Sequence, residues 1–251
     1  MKICFIIQAR VGSTRMPRKI LLPFFDGKSI IELLIEKIKQ INGAKIVIAT
    51  SSDKSCDELE EIAKRYDVNC FRGSENDVLQ RFIDAAEKFS VERIIRVCSD
   101  NPFLELSSIQ ELVEYVNSLE RTPDYISFDI NGTPSIKTHY GFWTEYVTLD
   151  ALKRVIELTD EPLYHEHVTN YIYMHPDKFN IRWIEGPKVI ENRPDIRLTI
   201  DTVEDFSGAQ KIYSDLCQSN PYPTIKDIVS YLDRHSEYYV SMRSQIKQNS
   251  K

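Results

Sequence analysis

The feature that most restricts the fold is an alternation in the first half of the chain. Short continuous apolar runs, "ICFII" (3–7), "AKIVIAT" (44–50), "VNCF" (68–71) and "RIIRVC" (93–98), are separated by amphipathic stretches at 29–41, 55–66, 76–88 and 107–119. In "IIELLIEKIKQI" the apolar positions recur at i, i+3, i+4 and i+7, the helical period. Asn42-Gly43 supplies that helix with a stop. Strands that are apolar throughout must be covered on both faces. The alternation therefore predicts an α/β fold, a mostly parallel sheet flanked by helices on both sides.

After residue 120 the rhythm loosens. "DYISFDI" (124–130) and "FWTEYVTL" (142–149) read as β-structure around a turn at Asn131-Gly132, "DALKRVIEL" (150–158) as a helix. "EHVTNYIYMH" (166–175) reads as a helix and "KFNIRWIE" (178–185) as a strand. "IRLTI" (196–200) returns to the buried-strand type, followed by a helix from Thr202. The expected organisation is one domain over 1–235, with a smaller β-rich insertion at about 124–190 that serves the site, and a polar C-terminal tail at 236–251 whose last residues, "RSQIKQNSK", fray.

Composition narrows the function. The 251 residues carry a net charge of -6, which argues against a broad nucleic-acid surface. The five cysteines form no C-x-x-C pair and read as reduced thiols. "MKICFII" is too short for a signal peptide, and no apolar run reaches the ~18 residues of a membrane span. A cytoplasmic protein with no membrane partner is the expectation.

Against this acidic background, "IIQARVGSTRMPRK" (6–19) concentrates Arg10, Arg15, Arg18 and Lys19 just after the first strand. It has neither the Walker ending nor G-x-G-x-x-G. It does offer backbone N–H groups near Gly12 and Ser13, a hydroxyl, guanidinium groups and an ammonium. Such groups hold a polyphosphate and neutralise a departing pyrophosphate; the alternative is a solvated basic loop. Ligands of open α/β sheets sit beyond the carboxyl ends of the strands. Asp100, after "RIIRVC", and Asp201, after "IRLTI", occupy such positions. Either carboxylate suits a hard cation such as Mg2+, and if the two strands are neighbours the pair shares one ion. The plainer readings are a turn aspartate before Pro102 and a residue preceding the capping box Thr202–Asp205. His165, Glu166 and His167 do not form H-E-x-x-H, because Thr169 takes its last position. Asp77 and Arg81 have the spacing of an ordinary helical ion pair, and the functional alternative for 72–82 is a loop that recognises a base.

Taken together, "IIQARVGSTRMPRKIL", "FRGSENDVLQRF", "RVCSDNPF", "YHEHVTNYIY" and "RLTIDTVEDF" resemble the cytidylyltransferases that activate acidic sugars, the acylneuraminate and 3-deoxy-manno-octulosonate group, and most of all its SpsF spore-coat-polysaccharide branch. The resemblance spans residues 3 to about 210. It implies a Rossmann-like nucleotide-diphospho-sugar transferase fold. It also implies attack of a sugar hydroxyl on the α-phosphate of CTP, and Mg2+ as cofactor. By the same resemblance Arg10, Ser13, Arg15 and Lys19 match the triphosphate loop, to which Ala9 and Gly12 also belong. Arg72, Gly73, Ser74 and Asp77 match the loop near the base, Asp100 and Asp201 the metal carboxylates, and Glu145, Glu166 and His167 the acceptor region. Arg10, Lys19, Asp100 and Asp201 are the expected catalytic set, and a homodimer the expected assembly. Gln8 departs from the pattern, since the better-studied synthetases have proline there. The alternatives are transfer of another nucleotide, use of a nucleotide sugar, or a nucleotide-binding subunit without turnover.

Overall fold

The computed structural model describes residues 3–249. In chain order its strands are β1 (Ile3–Gln8), β2 (Pro23–Phe25), β3 (Lys28–Ser29), β4 (Lys45–Ser51), β5 (Asn69–Gly73), β6 (Arg93–Cys98), β7 (Tyr125–Ile130), β8 (Thr133–Pro134), β9 (Glu145–Thr148) and β10 (Ile181–Glu185). The helices are α1 (Ile30–Ile38), α2 (Asp57–Arg65), α3 (Val78–Lys88), α4 (Leu106–Ser118), α5 (Leu149–Leu158), α6 (Pro162–Glu166), α7 (Asn170–Met174), α8 (Val203–Cys217), α9 (Ile225–Arg234) and α10 (Glu237–Gln248).

Eight strands form one sheet in the order β10-β7-β9-β6-β1-β4-β5, with β8 paired to β7. The block β6-β1-β4-β5 is parallel, and β9 runs antiparallel between β6 and β7. Parity along β1 shows why the runs are apolar throughout. Ile3, Phe5 and Ile7 join a core made with α1, α2, α4, α8 and α9. Cys4 and Ile6 join a second core on the opposite face with α3, α5 and α7. Two-sided burial leaves no position for a solvent-facing polar residue. At the β7–β8 hairpin Asn131 and Gly132 both have positive φ (55° and 78°), which a two-residue turn of matching twist requires.

Three expectations need correction, and one hairpin lies outside them. "IRLTI" is not a strand. Ile196, Leu198 and Ile200 are buried, but the N–H groups of Leu198 and Thr199 donate to the His139 carbonyl, and that of Ile200 to the Asp100 carbonyl (3.1 Å). β9 already occupies the edge of β6, so the segment finds no ladder. The helix expected over 166–175 is broken into α6 and α7, because His167 turns to φ -104°, ψ 69°. The tail is helical as far as it is described: α10 runs to Gln248 with Tyr239, Met242 and Gln245 buried, and Ser250 and Lys251 lie outside the described residues. The hairpin β2–β3, which the sequence reading did not include, turns at Asp26-Gly27, both with positive φ.

No helix among the described residues is long and apolar enough to cross a membrane, and all five cysteines are free thiols.

Candidate active site

The parallel block delivers the ends of β1 and β6 to one rim of the sheet. A cleft of about 590 Å³ opens there. One wall is the basic loop, which folds back on itself through Ser13 N–H and Arg18 N–H, both donating to the Val11 carbonyl. Arg10, Ser13, Arg15 and Lys19 line the cleft, facing Asp100, Asp201, Glu166 and His167.

Each cleft-lining cation of this loop is already paired. The Lys19 ammonium is buried, 3.4 Å from Asp100 Oδ2 and 3.5 Å from Asp201 Oδ1, and donates to the Ile200 carbonyl. Arg15 Nη2 donates to Asp201 Oδ1 at 3.0 Å, and its Nη1 to Asn249 Oδ1 at 2.6 Å. Arg197 Nη2 takes the other oxygen of Asp201 at 2.8 Å. Arg10 meets Glu166 at 3.4 Å. Burial works to raise the Asp201 pKa, but Lys19, Arg15 and Arg197 outweigh it and hold the carboxyl below its usual range. Asp201 is not the cap of α8. Thr202 Oγ accepts from Asp205 N–H at 3.1 Å and the Asp205 carboxylate accepts from Thr202 N–H, so the capping box is complete without it. Lys19, placed by the sequence in a polar loop, is a nearly enclosed residue whose removal opens a gap between two carboxylates.

Asp100 and Asp201 therefore converge on a single ammonium although their segments are not neighbouring strands. Two carboxylates of this kind fit Mg2+, which takes one or two protein carboxylates and fills its other positions with substrate phosphates and water. Among the described residues no group of three or more His, Cys, Asp or Glu side chains stands together to hold an ion alone.

At the floor of the cleft lies a largely buried polar network. Arg96, on β6, donates to Glu145 Oε2 on β9 at 2.5 Å, and through Nε and Nη2 to Gln8 Oε1 at 3.1 and 2.9 Å. Tyr125 OH and Thr169 Oγ also donate to Glu145. Arg96, Glu145, Tyr125 and Thr169 are all buried. Burial opposes the Arg96 charge, yet Cys98 and Glu145 beside it hold its pKa above the ordinary value. Burial and Glu145 together keep Tyr125 a phenol, able to donate. Glu145 thus lies below the cleft and does not line it, while Gln8, Arg96 and Thr169 do. Sequence reasoning passed over Gln8, Arg96, Thr169 and Arg197 as site residues. A charge at an inward position of a doubly covered strand was the available signal for Arg96.

Ala9, Gly12, Arg72, Gly73, Ser74 and Asp77 are not among the residues that line the cleft. Ala9 is buried and donates its N–H to the Ala49 carbonyl; Gly12 lies beside Glu75. Arg72 turns outward to Asp57 (2.7 Å) and Glu60, with its Nη2 on the Asp53 carbonyl. Ser74 accepts from Asp77 N–H. Asp77 caps α3 through Gln80 N–H and pairs with His165 Nδ1 at 2.8 Å, docking α6 on α3. Asp77 and Arg81 do not pair with one another, despite their spacing: Arg81 donates to the Ser74 carbonyl.

Residues 4–241 match the cytidylyltransferase family. The chain is 36% identical to the uncharacterized protein MJ1063 of Methanocaldococcus jannaschii, over all of this chain and 98% of that one. It is 31% identical to the spore coat polysaccharide biosynthesis protein SpsF of Bacillus subtilis, over 94% of this chain and 95% of SpsF. Among solved structures, a cytidylyltransferase from Leptospira borgpetersenii superposes with a TM-score of 0.81 at 28% identity, covering 95% of this chain and 97% of that one.

Proposed function

The chain belongs to the cytidylyltransferase family, and from that premise we propose that it transfers CMP from CTP to a hydroxyl of a small sugar, releasing pyrophosphate. The observation that carries the reading is the convergence of Arg15, Lys19, Asp100 and Asp201 at the carboxyl ends of β1 and β6. Nucleotidyl transfer needs in-line positioning and charge neutralisation more than covalent chemistry. The sugar hydroxyl oxygen forms a bond to the α-phosphorus and gives up its proton to solvent water as the bond to the bridging oxygen breaks, and the electron pair leaves with pyrophosphate. Arg10, Arg15 and Lys19 exchange their carboxylate partners for phosphate oxygens and take up that charge. Asp100 and Asp201 would hold Mg2+, which supplies further neutralisation of the phosphates when bound. Glu166 and His167, on the opposite wall, stand where the acceptor enters.

The acceptor in this reading is an acidic ulosonate-like or nonulosonate-like sugar destined for a surface polysaccharide. The similarity to SpsF supports the polysaccharide destination. A cytoplasmic homodimer joined through the insertion completes the proposal; Trp183 and Met174, exposed on that segment, support it.

Thermal melting with CTP, UTP, ATP and GTP, with and without Mg2+, tests the nucleotide. CTP at 100 times its dissociation constant is expected to add about 2.7 kcal/mol, more with Mg2+, whereas Mg2+ alone gives no shift. Equal shifts from all four nucleotides refute the cytidine assignment. Pyrophosphate release from CTP across a panel of acidic and neutral sugars then identifies the acceptor.

A further inference from the structure

Gln8 closes β1 and lines the cleft, half-buried. The two ends of a glutamine amide have the same shape, so its orientation is set by its partners. Here the partner leaves no choice. Arg96 Nε and Nη2 meet one amide atom at 3.1 and 2.9 Å, and a guanidinium carries donors only. That atom must be the oxygen. The amide nitrogen, Nε2, is turned away from Arg96, and among the described residues no acceptor faces it.

The clamp is itself held. Arg96 donates to Glu145, which also accepts from Tyr125 and Thr169, and all four side chains are buried. Reversing the Gln8 amide would set its N–H2 against a charged donor in a nearly enclosed place. An amide whose oxygen accepts from a cation also has its N–H bonds polarised, which makes Nε2 a stronger donor. The network thus presents to the cleft a single donor of fixed direction.

Position narrows what that donor meets. The basic loop begins two residues later at Arg10, and in the β1–β6 register Gln8 stands opposite Cys98, two residues before Asp100. Thr169, 3.4 Å from Arg96, belongs to the wall that carries Glu166 and His167. Gln8 therefore stands where the nucleotide side and the acceptor side of the cleft join. In the reaction above, the group common to both sides is the phosphoryl in transit.

We propose that Gln8 is a further catalytic residue, its Nε2–H donating to a non-bridging oxygen of the α-phosphoryl group during transfer, and that Arg96 is the positioning residue that keeps this donor aimed. The role rests on the CTP reading. No bond to Gln8 forms or breaks. The amide stabilises charge spread over the phosphoryl oxygens in the transition state, and a donor aimed beforehand does so without reorganising.

Gln8→Glu keeps the shape and the oxygen that Arg96 meets, but presents an acceptor where the N–H2 stood. Pyrophosphate release by the wild type and this variant is measured against CTP and against the best sugar of the panel, with urea midpoints to show that both are folded. kcat should fall by about 100–1000-fold, the scale of one lost oxyanion donor, while the KM for the sugar stays near the wild-type value. A folded variant that keeps the wild-type kcat overturns the assignment; if its KM for the sugar rises instead, the amide reads the acceptor. Should Gln8→Glu not fold, Gln8→Asn, which draws the same amide back by one methylene, is held to the same fall in kcat. Arg96→Lys offers one nitrogen to two partners. It should lower kcat alone but little further in the Gln8→Glu background, since the two act as a unit; additive losses remove Arg96 as the positioning residue. A wild type that releases no pyrophosphate from CTP with any sugar refutes the parent function, an outcome the wild type alone distinguishes.

Discussion

The two sides of the cleft hold charge in opposite ways. On the side of the basic loop, Arg10 and Arg15 meet their carboxylates at a surface open to water, the Arg15 side chain being 52% exposed, while Lys19 beside them is enclosed. On the floor, Arg96 and Glu145 are sealed at 6% and 2% exposure and every oxygen of Glu145 has a donor. Exposed pairs contribute little and exchange readily. A buried pair is weak evidence of stability, but breaking it on one side is severe. The first arrangement suits a surface that must trade partners when a triphosphate arrives. The second fixes β1, β6, β7 and β9 to one another beneath it, through Gln8, Arg96, Tyr125 and Glu145.

The contrast breaks most visibly at Glu145. Glu145→Leu strands the Arg96 charge and should lower stability by about 3–5 kcal/mol, read as a shifted urea midpoint. Adding Arg96→Met should recover most of that loss; a double variant as unstable as the sum of the two singles removes the network as a unit. Asp201 comes next. Asp201→Asn should cost about 1.5–3 kcal/mol, the scale of hydrogen bonds to a charged group. Its depressed folded pKa means that the stabilisation is fully present above the unfolded value of about 3.9 and is lost as pH falls through the folded value. The wild type should therefore lose its advantage over Asp201→Asn in that acid window; parallel melting curves from pH 7 to 2 would argue that the three cations contribute nothing. The smallest effect belongs to Arg15. Arg15→Ala should change stability by at most about 1 kcal/mol yet weaken CTP binding markedly by titration calorimetry. Unchanged CTP affinity would return Arg15 to the role of a surface contact.

What could be read from the sequence follows from the range of the cause. β1, β4, β5, β6 and the helices between them were legible because apolar continuity and the 3.6-residue period are local records of two-sided burial. The cationic loop was legible because charge density is a property of a single segment. "IRLTI" misled because all five of its residues are buried, Arg197 and Thr199 with the three aliphatics, and burial on both faces does not by itself mean strand pairing. That its hydrogen bonds go to His139 and Asp100 depends on β9 having taken the edge of β6. Asp100 and Asp201 still meet, through the bond from Ile200 N–H to the Asp100 carbonyl and not through strand pairing. Arg72 and Arg81 show the same limit. Nine residues apart in one motif, one turns outward to Asp57 and the other inward to orphaned burial, and nothing in their immediate neighbours distinguishes them.

The contacts of Arg15 also fix when the site comes into being. Its partners Asp201 and Asn249 lie 186 and 234 residues further along the chain. A ribosome adding ~5–20 residues per second needs ~10–50 s to travel from Arg15 to Asn249. The central strands and the floor of the cleft are made well before this, and the basic loop waits on the nascent chain with its arginines unmatched. Vectorial synthesis thus completes the basic side of the cleft last, when the segment before α8 and the end of α10 bring Arg15 its two partners.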